Sequence, residues 1–167
     1  MYTKMLVPLD GSRTAEKVLP YARSLARSFK IPIELLAVVD IAELATHITA
    51  EKARFLDSMI EEGVRSSESY LRGVAASFGG ATVTCKVEKG RAEDVIIERG
   101  EADTAMLIAM ATHGRSGLGR LVYGSVPEGV SHRSPVPVCL VVKIPGSTSA
   151  IVNVSGCDLF TPRLTTN

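Results

Sequence analysis

The feature that most constrains this fold is a regular alternation of short apolar runs with longer segments of helical period. The run at residues 104–110 is almost uniformly apolar, which predicts a central strand covered on both faces. Residues 81–88 alternate polar and apolar side chains, which predicts a half-buried strand near a sheet edge. The other predicted strands span residues 4–9, 31–39 and 138–143. The alternation therefore predicts an α/β domain of three layers, doubly wound, with helices on both faces of a five-stranded parallel sheet.

The segments between these runs predict the helices. From residue 12 to Phe29, apolar residues recur every three or four positions, and Pro20 is expected to kink that single helix. A longer helix follows, with Thr49 as its start signal and the pair Gly79-Gly80 as its stop. Shorter helices are predicted at residues 93–99 and 125–132.

The C-terminal residues lie outside this alternation. Residues 1–145 form the predicted domain, and residues 146–167 form a polar tail of Ser, Thr, Gly and Asn with isolated apolar residues. We expect the tail to be a flexible extension. The alternative is an additional strand or arm, built from Ala150, Ile151 and Val152, that reaches a neighbouring chain.

Charge and hydropathy exclude several classes of protein. Lys and Arg total 19 against 18 Asp and Glu, so the basic excess of a nucleic-acid-binding protein is absent. The longest apolar run, residues 105–111, is far shorter than a membrane-spanning helix requires, and the N-terminus has no secretory apolar region. The three cysteines form no CxxC pair, which argues against a zinc site. We expect a cytoplasmic protein with no nucleic-acid or membrane partner.

A glycine-rich segment at residues 110–125 carries the strongest functional signal. It follows the most apolar predicted strand and opens a helix, which is where ligands of open α/β sheets bind. Glycines and a helix N-terminus together favour an anion such as phosphate. The segment is not a Walker A motif, because Arg120 and Leu121 stand where Lys and Ser or Thr belong. A Rossmann GxGxxG motif is also absent.

The sequence resembles the universal stress protein family over roughly residues 3 to 143. Nucleotide-binding members of that family carry G-x2-G-x9-G-[ST], and here the same register reads Ala111-x2-Gly114-x9-Gly124-Ser125. Residues 6–12 (LVPLDGS), 37–40 (AVVD) and 135–138 (PVPV) also look like the family. With this resemblance we predict a Rossmann-like, adenine nucleotide alpha-hydrolase-like domain with strand order 3-2-1-4-5.

The resemblance implies a site for ATP, or for AMP or another adenine nucleotide, with Mg²⁺ or Mn²⁺ accompanying the phosphates. Asp10 would accept a hydrogen bond from a ribose hydroxyl, and the backbone of Val38 would read the adenine edge. Gly114, Gly124 and Ser125 match phosphate-binding positions. The implied cofactor-binding residues are Pro8, Leu9, Asp10, Val38, Met110, Ala111, Gly114, Arg115, Ser116, Gly124, Ser125 and Val126.

One position departs from the family pattern, because Ala111 replaces the first glycine of the motif. If φ is positive there, Ala is strained by roughly 1 kcal/mol, whereas at negative φ the methyl group can fit. Two other residues have structural alternatives. Ser125 and Glu128 form a potential capping box, and Asp10 can simply begin a turn with Gly11.

No catalytic constellation is evident. The histidines, His47, His113 and His132, stand in separate contexts without metal-ligand spacing. We therefore expect no catalytic residue and no metal site of the protein's own. The prediction is a nucleotide-binding stress-response or regulatory module, with slow ATP hydrolysis at most. It is expected to form a homodimer through the last strand, from Val138 to Val142. The alternative is a ligand-free dimeric scaffold of the same fold, which Ala111 favours.

Overall fold

A six-stranded sheet forms the middle layer of the protein. The structure is a computed structural model that describes residues 1–41, 55–112, 125–143 and 150–155. The strand order is β3-β2-β1-β4-β5-β6, in which the first five strands are parallel and β6 runs antiparallel to β5. The predicted parallel sheet of order 3-2-1-4-5 is thus confirmed. The strands are β1 (Met5–Pro8), β2 (Ile33–Val39), β3 (Val83–Lys89), β4 (Leu107–Thr112), β5 (Val138–Lys143) and β6 (Ala150–Ser155).

Helices cover both faces of this sheet. Within the described ranges they are a 3-10 helix (Ala15–Val18), α1 (Leu19–Phe29), α2 (Leu56–Ala76), α3 (Ala92–Ala102) and α4 (Ser125–Arg133). The predicted start of the long helix at Thr49 falls outside the described residues, and its end lies just before the predicted Gly79-Gly80 stop. None of the helices in the described ranges is both long and apolar enough to cross a membrane.

Two apolar cores lie on opposite faces of the sheet because successive strand residues point in opposite directions. In β1, Met5 and Val7 pack in the core under α1 and α2, whereas Leu6 packs in the core under α3 and α4. In β4, Leu107 packs in the core under α1 and α2, and Ile108 packs in the core under α3 and α4. All six residues of β4 are buried, which confirms the central strand predicted from its apolar run. The half-buried β3 is an edge strand, also as predicted.

The prediction of a single helix from residue 12 to Phe29 is wrong. The chain instead forms the 3-10 helix and then α1, with Pro20 in the first turn of α1. Proline has no backbone N–H, and the N–H groups of a first helical turn lack intrahelical partners in any case. Pro20 therefore marks where the α-helix begins and does not kink it.

Residues 150–155, which the sequence placed in a polar tail, form β6. All six residues of β6 pair with β5 of the same chain, from Lys143 opposite Ala150 to Val138 opposite Ser155. An additional strand is therefore present, as the alternative predicted, and it pairs with the chain's own β5. That this segment reaches a neighbouring chain stays a prediction. β5 thus has a partner along both edges, β4 and β6. Homodimerisation through Val138 to Val142 stays a prediction, and it would require β6 to leave this edge.

A network of charges lies beneath α3. The Glu34 carboxylate in β2 is almost fully buried, with 8% of its side chain exposed, and it contacts the guanidinium of Arg99 on α3. Lys4 Nζ lies 3.1 Å from the other carboxylate oxygen. A second guanidinium nitrogen of Arg99 lies 3.1 Å from Glu88 Oε1 on β3. The network ties β2, β3 and α3 together.

Candidate functional site

The strand order reverses between β1 and β4, and a cavity of about 290 Å³ opens at their carboxyl ends. In doubly wound folds the crevice at such a reversal is the usual place for a ligand. The volume is close to the lower limit for small-molecule pockets. The described residues that line the cavity are Pro8, Leu9, Asp10, Ser12, Thr14, Ala15, Leu36, Val38, Ala92, Ile96, Met110, Ala111, Ser125, Val126 and Pro127.

The first turns of two α-helices border this cavity. Ala92 is the first residue of α3, and Ser125, Val126 and Pro127 form the first turn of α4. The first N–H groups of a helix have no intrahelical partner, and the N-terminal end carries roughly half a positive charge. Two such ends at one cavity favour an anionic group there.

The floor of the cavity is apolar. Leu36, Ile96 and Met110 are buried in the core under α3 and α4, and the half-buried Val38 packs against that core. Such a surface suits a flat, weakly polar ring system, whose burial removes apolar area from water. The cavity thus combines an apolar floor with a rim of helix starts.

Asp10 forms a turn at the end of β1 and still presents a carboxylate oxygen. The Ser12 N–H donates a 2.8 Å hydrogen bond to Asp10 Oδ1, and Gly11 between them has φ of +79°. The Ser12 hydroxyl in turn accepts a 3.1 Å hydrogen bond from the Ala15 N–H. The turn predicted as the structural alternative is therefore confirmed. No described residue donates to Oδ2, so this oxygen is open to a ligand hydroxyl.

The partly buried Tyr70 lies close enough to Asp10 to feel its charge. The Tyr70 hydroxyl on α2 donates a 3.0 Å hydrogen bond to Glu16 Oε1. Burial, the hydrogen bond to Glu16 and the charges of Glu16 and Asp10 raise the pKa of Tyr70 well above its usual range. The phenol therefore remains protonated at neutral pH and keeps its donor role.

Ala111 adopts ordinary strand geometry. It lies in β4 opposite Val141, and among the described residues other than glycine only Lys30 has positive φ. The strain that a positive φ would impose is therefore absent. Its methyl group lies at the cavity wall, with 8% of the residue exposed.

We expect Ala111→Gly, which restores the motif glycine, to destabilise the protein. No strain is relieved, and a glycine in a strand interior costs about 0.5–1 kcal/mol of folding free energy. Urea unfolding should show this loss, and calorimetry should show ATP affinity unchanged within about twofold, since no backbone change is needed. A stabilised variant would show that the backbone at Ala111 is strained, whereas ATP binding that is tighter by about tenfold would show that the methyl group obstructs the site.

The structure brings part of the predicted site together. Residues predicted from the resemblance that line the cavity are Pro8, Leu9, Asp10, Val38, Met110, Ala111, Ser125 and Val126. Gly114, Arg115, Ser116 and Gly124 lie outside the described residues. That these residues contact a nucleotide stays a prediction.

Sequence reasoning missed the contribution of α3. Ala92 and Ile96 line the cavity although β3, the strand before them, lies at the far edge of the sheet. The usable signal was the turn at Gly90, which places a helix start at the carboxyl end of β3. Ser12 and Thr14 were also missed as lining residues, as were Ala15, Leu36 and Pro127.

Comparison with known proteins gives a consistent result. The family model described as "Universal stress protein family" matches residues 1–143. Universal stress protein MJ0531 of Methanocaldococcus jannaschii is 28% identical over 145 residues, which cover 87% of this chain and 84% of the relative. The structure of universal stress protein UspA from Lactobacillus plantarum has a TM-score of 0.69 at 20% identity, covering 83% of this chain and 97% of that one. A universal stress protein in complex with cAMP has a TM-score of 0.55 at 18% identity, covering 86% and 98%.

Proposed function

The chain belongs to the universal stress protein family, and on this premise we propose that it binds ATP or another adenine nucleotide as a regulatory module of the stress response. The observation that carries the proposal is the cavity at the carboxyl ends of β1 and β4. It combines an apolar floor, the open Oδ2 of Asp10 and two α-helix starts. These are the three kinds of group that a base, a ribose and a phosphate chain require.

The lining residues fit the parts of a nucleotide in a definite way. Leu36, Val38 and Met110 would hold the adenine ring through apolar contact. Asp10 would accept a hydrogen bond from a ribose hydroxyl through Oδ2. The N–H groups at the start of α4 would bind phosphate oxygens, with Mg²⁺ or Mn²⁺ neutralising the remaining charge. The cAMP complex of a relative of similar fold supports an adenine nucleotide as the ligand class.

We propose a binding module and not a dedicated enzyme. Among the described residues that line the cavity, Asp10 is the only ionisable side chain. Efficient hydrolysis needs a group that positions and activates a water molecule in addition to the groups that bind phosphate. Any ATP hydrolysis by this chain is therefore expected to be slow. A cytoplasmic location and homodimerisation belong to the same proposal and derive from the sequence.

The alternative of a ligand-free scaffold relied on Ala111. Strain at that position was one of two reasons to expect weaker nucleotide affinity, and Ala111 has no positive φ. The remaining difference from the motif is one methyl group at the wall of the cavity. We therefore favour the nucleotide-binding function.

The direct test has two steps. Mass spectrometry of small molecules released from gently purified protein should detect an adenine nucleotide, and titration calorimetry of the emptied protein with ATP and Mg²⁺ should give a saturable heat. Titration with GTP serves as the control, because the base differs while the phosphates do not. Protein that purifies empty and gives no ATP heat would favour the scaffold.

We expect Asp10→Asn to weaken ATP binding by about 10- to 100-fold, the range for a lost hydrogen bond to a charged acceptor. Asparagine retains an oxygen that can accept the 2.8 Å bond from the Ser12 N–H, so the turn is preserved. The second carboxylate oxygen becomes an NH2 group, which cannot accept a bond from a ribose hydroxyl. Calorimetry measures the change in Kd, and circular dichroism checks the fold.

A ligand variant provides the matched control for this substitution. 2′,3′-Dideoxy-ATP lacks the ribose hydroxyls, so it should bind the unchanged protein about as weakly as ATP binds the Asp10→Asn variant. The variant should then lose little further affinity for the dideoxy nucleotide, because the interaction is already missing. Equal losses for both nucleotides would mean that Asp10 acts through the turn alone.

A further inference from the structure

A second cavity, of about 600 Å³, lies at the opposite end of the sheet, where the chain enters β2 and β3. Its walls are the C-terminal part of α1 and the segments at residues 31–32 and 77–82. Arg23, Arg27 and Lys30 line it, and the lining includes no Asp or Glu among the described residues. This cavity lies at the amino ends of the parallel strands, whereas the nucleotide cavity lies at their carboxyl ends, so the two cavities are on opposite ends of the sheet.

The positive charge exceeds what the neighbouring helices require. α1 and α2 both end near this cavity, and each helix C-terminus carries roughly half a negative charge. The three cations therefore leave a net charge of about +2 after both helix ends are compensated. Arg23, Arg27 and Lys30 form no ion pair with any residue in the described part of the chain. An unbalanced cluster of this kind attracts anions.

The Arg23 guanidinium is held in place before any ligand arrives. One of its terminal nitrogens donates a 2.6 Å hydrogen bond to the Ser77 hydroxyl, which itself donates to the Val74 carbonyl. The guanidinium also lies over the Phe78 ring, 4.6 Å from its centroid. Its Nε is buried without a hydrogen-bond partner among the described residues. A fixed guanidinium loses less entropy when it binds an oxyanion than a freely moving one does.

We propose that this cavity binds a phosphate-bearing anion through Arg23, Arg27 and Lys30. Guanidinium groups match the geometry of phosphate oxygens and can bond two of them at once, and the lysine adds a further charge. Gly79 and Gly80 allow close approach, because their Cα atoms face open space with no heavy atom within 4 Å of an added Cβ position. The cavity volume lies within the range of small-molecule pockets, so it can hold an organic phosphate as well as the free anion.

The experiment titrates the full chain with inorganic pyrophosphate and follows backbone amides by NMR. We expect saturable shifts at residues 23–32 and 77–82. Arg27→Gln/Lys30→Gln, which removes two exposed charges, should weaken binding at least about tenfold. The control Lys17→Gln/Lys86→Gln removes two charges from exposed positions that do not line the cavity, and it should bind within about twofold of the unchanged protein. Circular dichroism checks that both variants fold.

Two results would overturn the proposal. One is an equal loss of affinity in both double variants, which would indicate attraction by net charge alone. The other is a set of shifts confined to residues 8–15, 92–96 and 125–127, which would place the anion in the nucleotide cavity. A negative result at this cavity is therefore distinguishable from failure of the proposed function, which is tested by ATP binding at the carboxyl ends of the strands.

A second arm identifies the source of the phosphate. Ribose 5-phosphate and inorganic phosphate are titrated under the same conditions. Tighter binding of ribose 5-phosphate, lost in Arg27→Gln/Lys30→Gln, supports an organic phosphate as the ligand, whereas equal binding supports the free anion. Absence of shifts at residues 23–32 and 77–82 with all three probes would refute the site.

Discussion

Ala92→Trp is expected to abolish ATP binding while the protein remains folded. Ala92 is the first residue of α3, is half-buried and lines the cavity of about 290 Å³. An indole at this position would occupy much of the space that the base and ribose need. The helix itself should tolerate the change, because the difference in helix propensity between Ala and Trp is below about 0.7 kcal/mol. We expect Kd for ATP to rise more than about 100-fold, measured by titration calorimetry.

The matched control for this prediction lies on the same helix. Ala102 is the last residue of α3, is exposed and does not line the nucleotide cavity. Ala102→Trp adds the same side chain at the other end of α3, and ATP affinity should stay within about twofold of the unchanged protein. Unchanged ATP binding in Ala92→Trp would mean that the nucleotide does not bind in the cavity at the carboxyl ends of β1 and β4.

Arg99→Ala is expected to produce the largest loss of stability among these variants. It would leave the Glu34 carboxylate, with 8% of its side chain exposed, paired only with Lys4. Removing one partner of a buried ion pair typically costs 3–5 kcal/mol, because the remaining charge is no longer compensated. Lys4 remains, so we expect a loss of about 3 kcal/mol. Urea unfolding should show a lower midpoint with an unchanged m-value.

An exposed ion pair on α2 provides the control for that measurement. Arg72 lies 2.6 Å from Glu68, and the two side chains are 71% and 47% exposed. Arg72→Ala should cost at most about 0.5 kcal/mol, since water solvates both groups. Replacing both charges of the buried pair, as in Glu34→Leu/Arg99→Met, should recover much of the stability lost in Arg99→Ala. Equal effects of Arg99→Ala and Arg72→Ala would show that Glu34 is solvated.

Much of the fold could be predicted because burial determines the local pattern of each strand. β4 is covered on both faces, so nearly all its residues are apolar and its central position can be predicted from the sequence. Pro20 was misread for a physical reason. Its ring forbids a helix interior and favours a first turn, and the apolar spacing continues across that boundary. Periodicity alone cannot show where a 3-10 helix gives way to an α-helix.

The site was predictable where it follows a strand directly and not where it depends on packing. Asp10 and Ala111 lie at the ends of β1 and β4, so their place at the cavity follows from strand order. Ala92 and Ile96 reach the same cavity only because α3 crosses from the edge strand β3 toward β4 over the sheet. The backbone geometry of Ala111 also had to come from the structure, since the sequence allowed either sign of φ.

The sequence by itself determined the α/β class, the parallel strands and the family, because hydrophobic periodicity and a few strand-end motifs are local properties of the chain. Tertiary structure alone decided three other matters. It paired β6 with β5, it joined Glu34 to Arg99 across 65 positions, and it placed Arg23 against Ser77 at a second cavity. The last two contacts join residues 65 and 54 positions apart in sequence, and their proximity is set by how whole elements pack. The strand pairing is closer in sequence, but the polar composition of residues 146–167 does not reveal it.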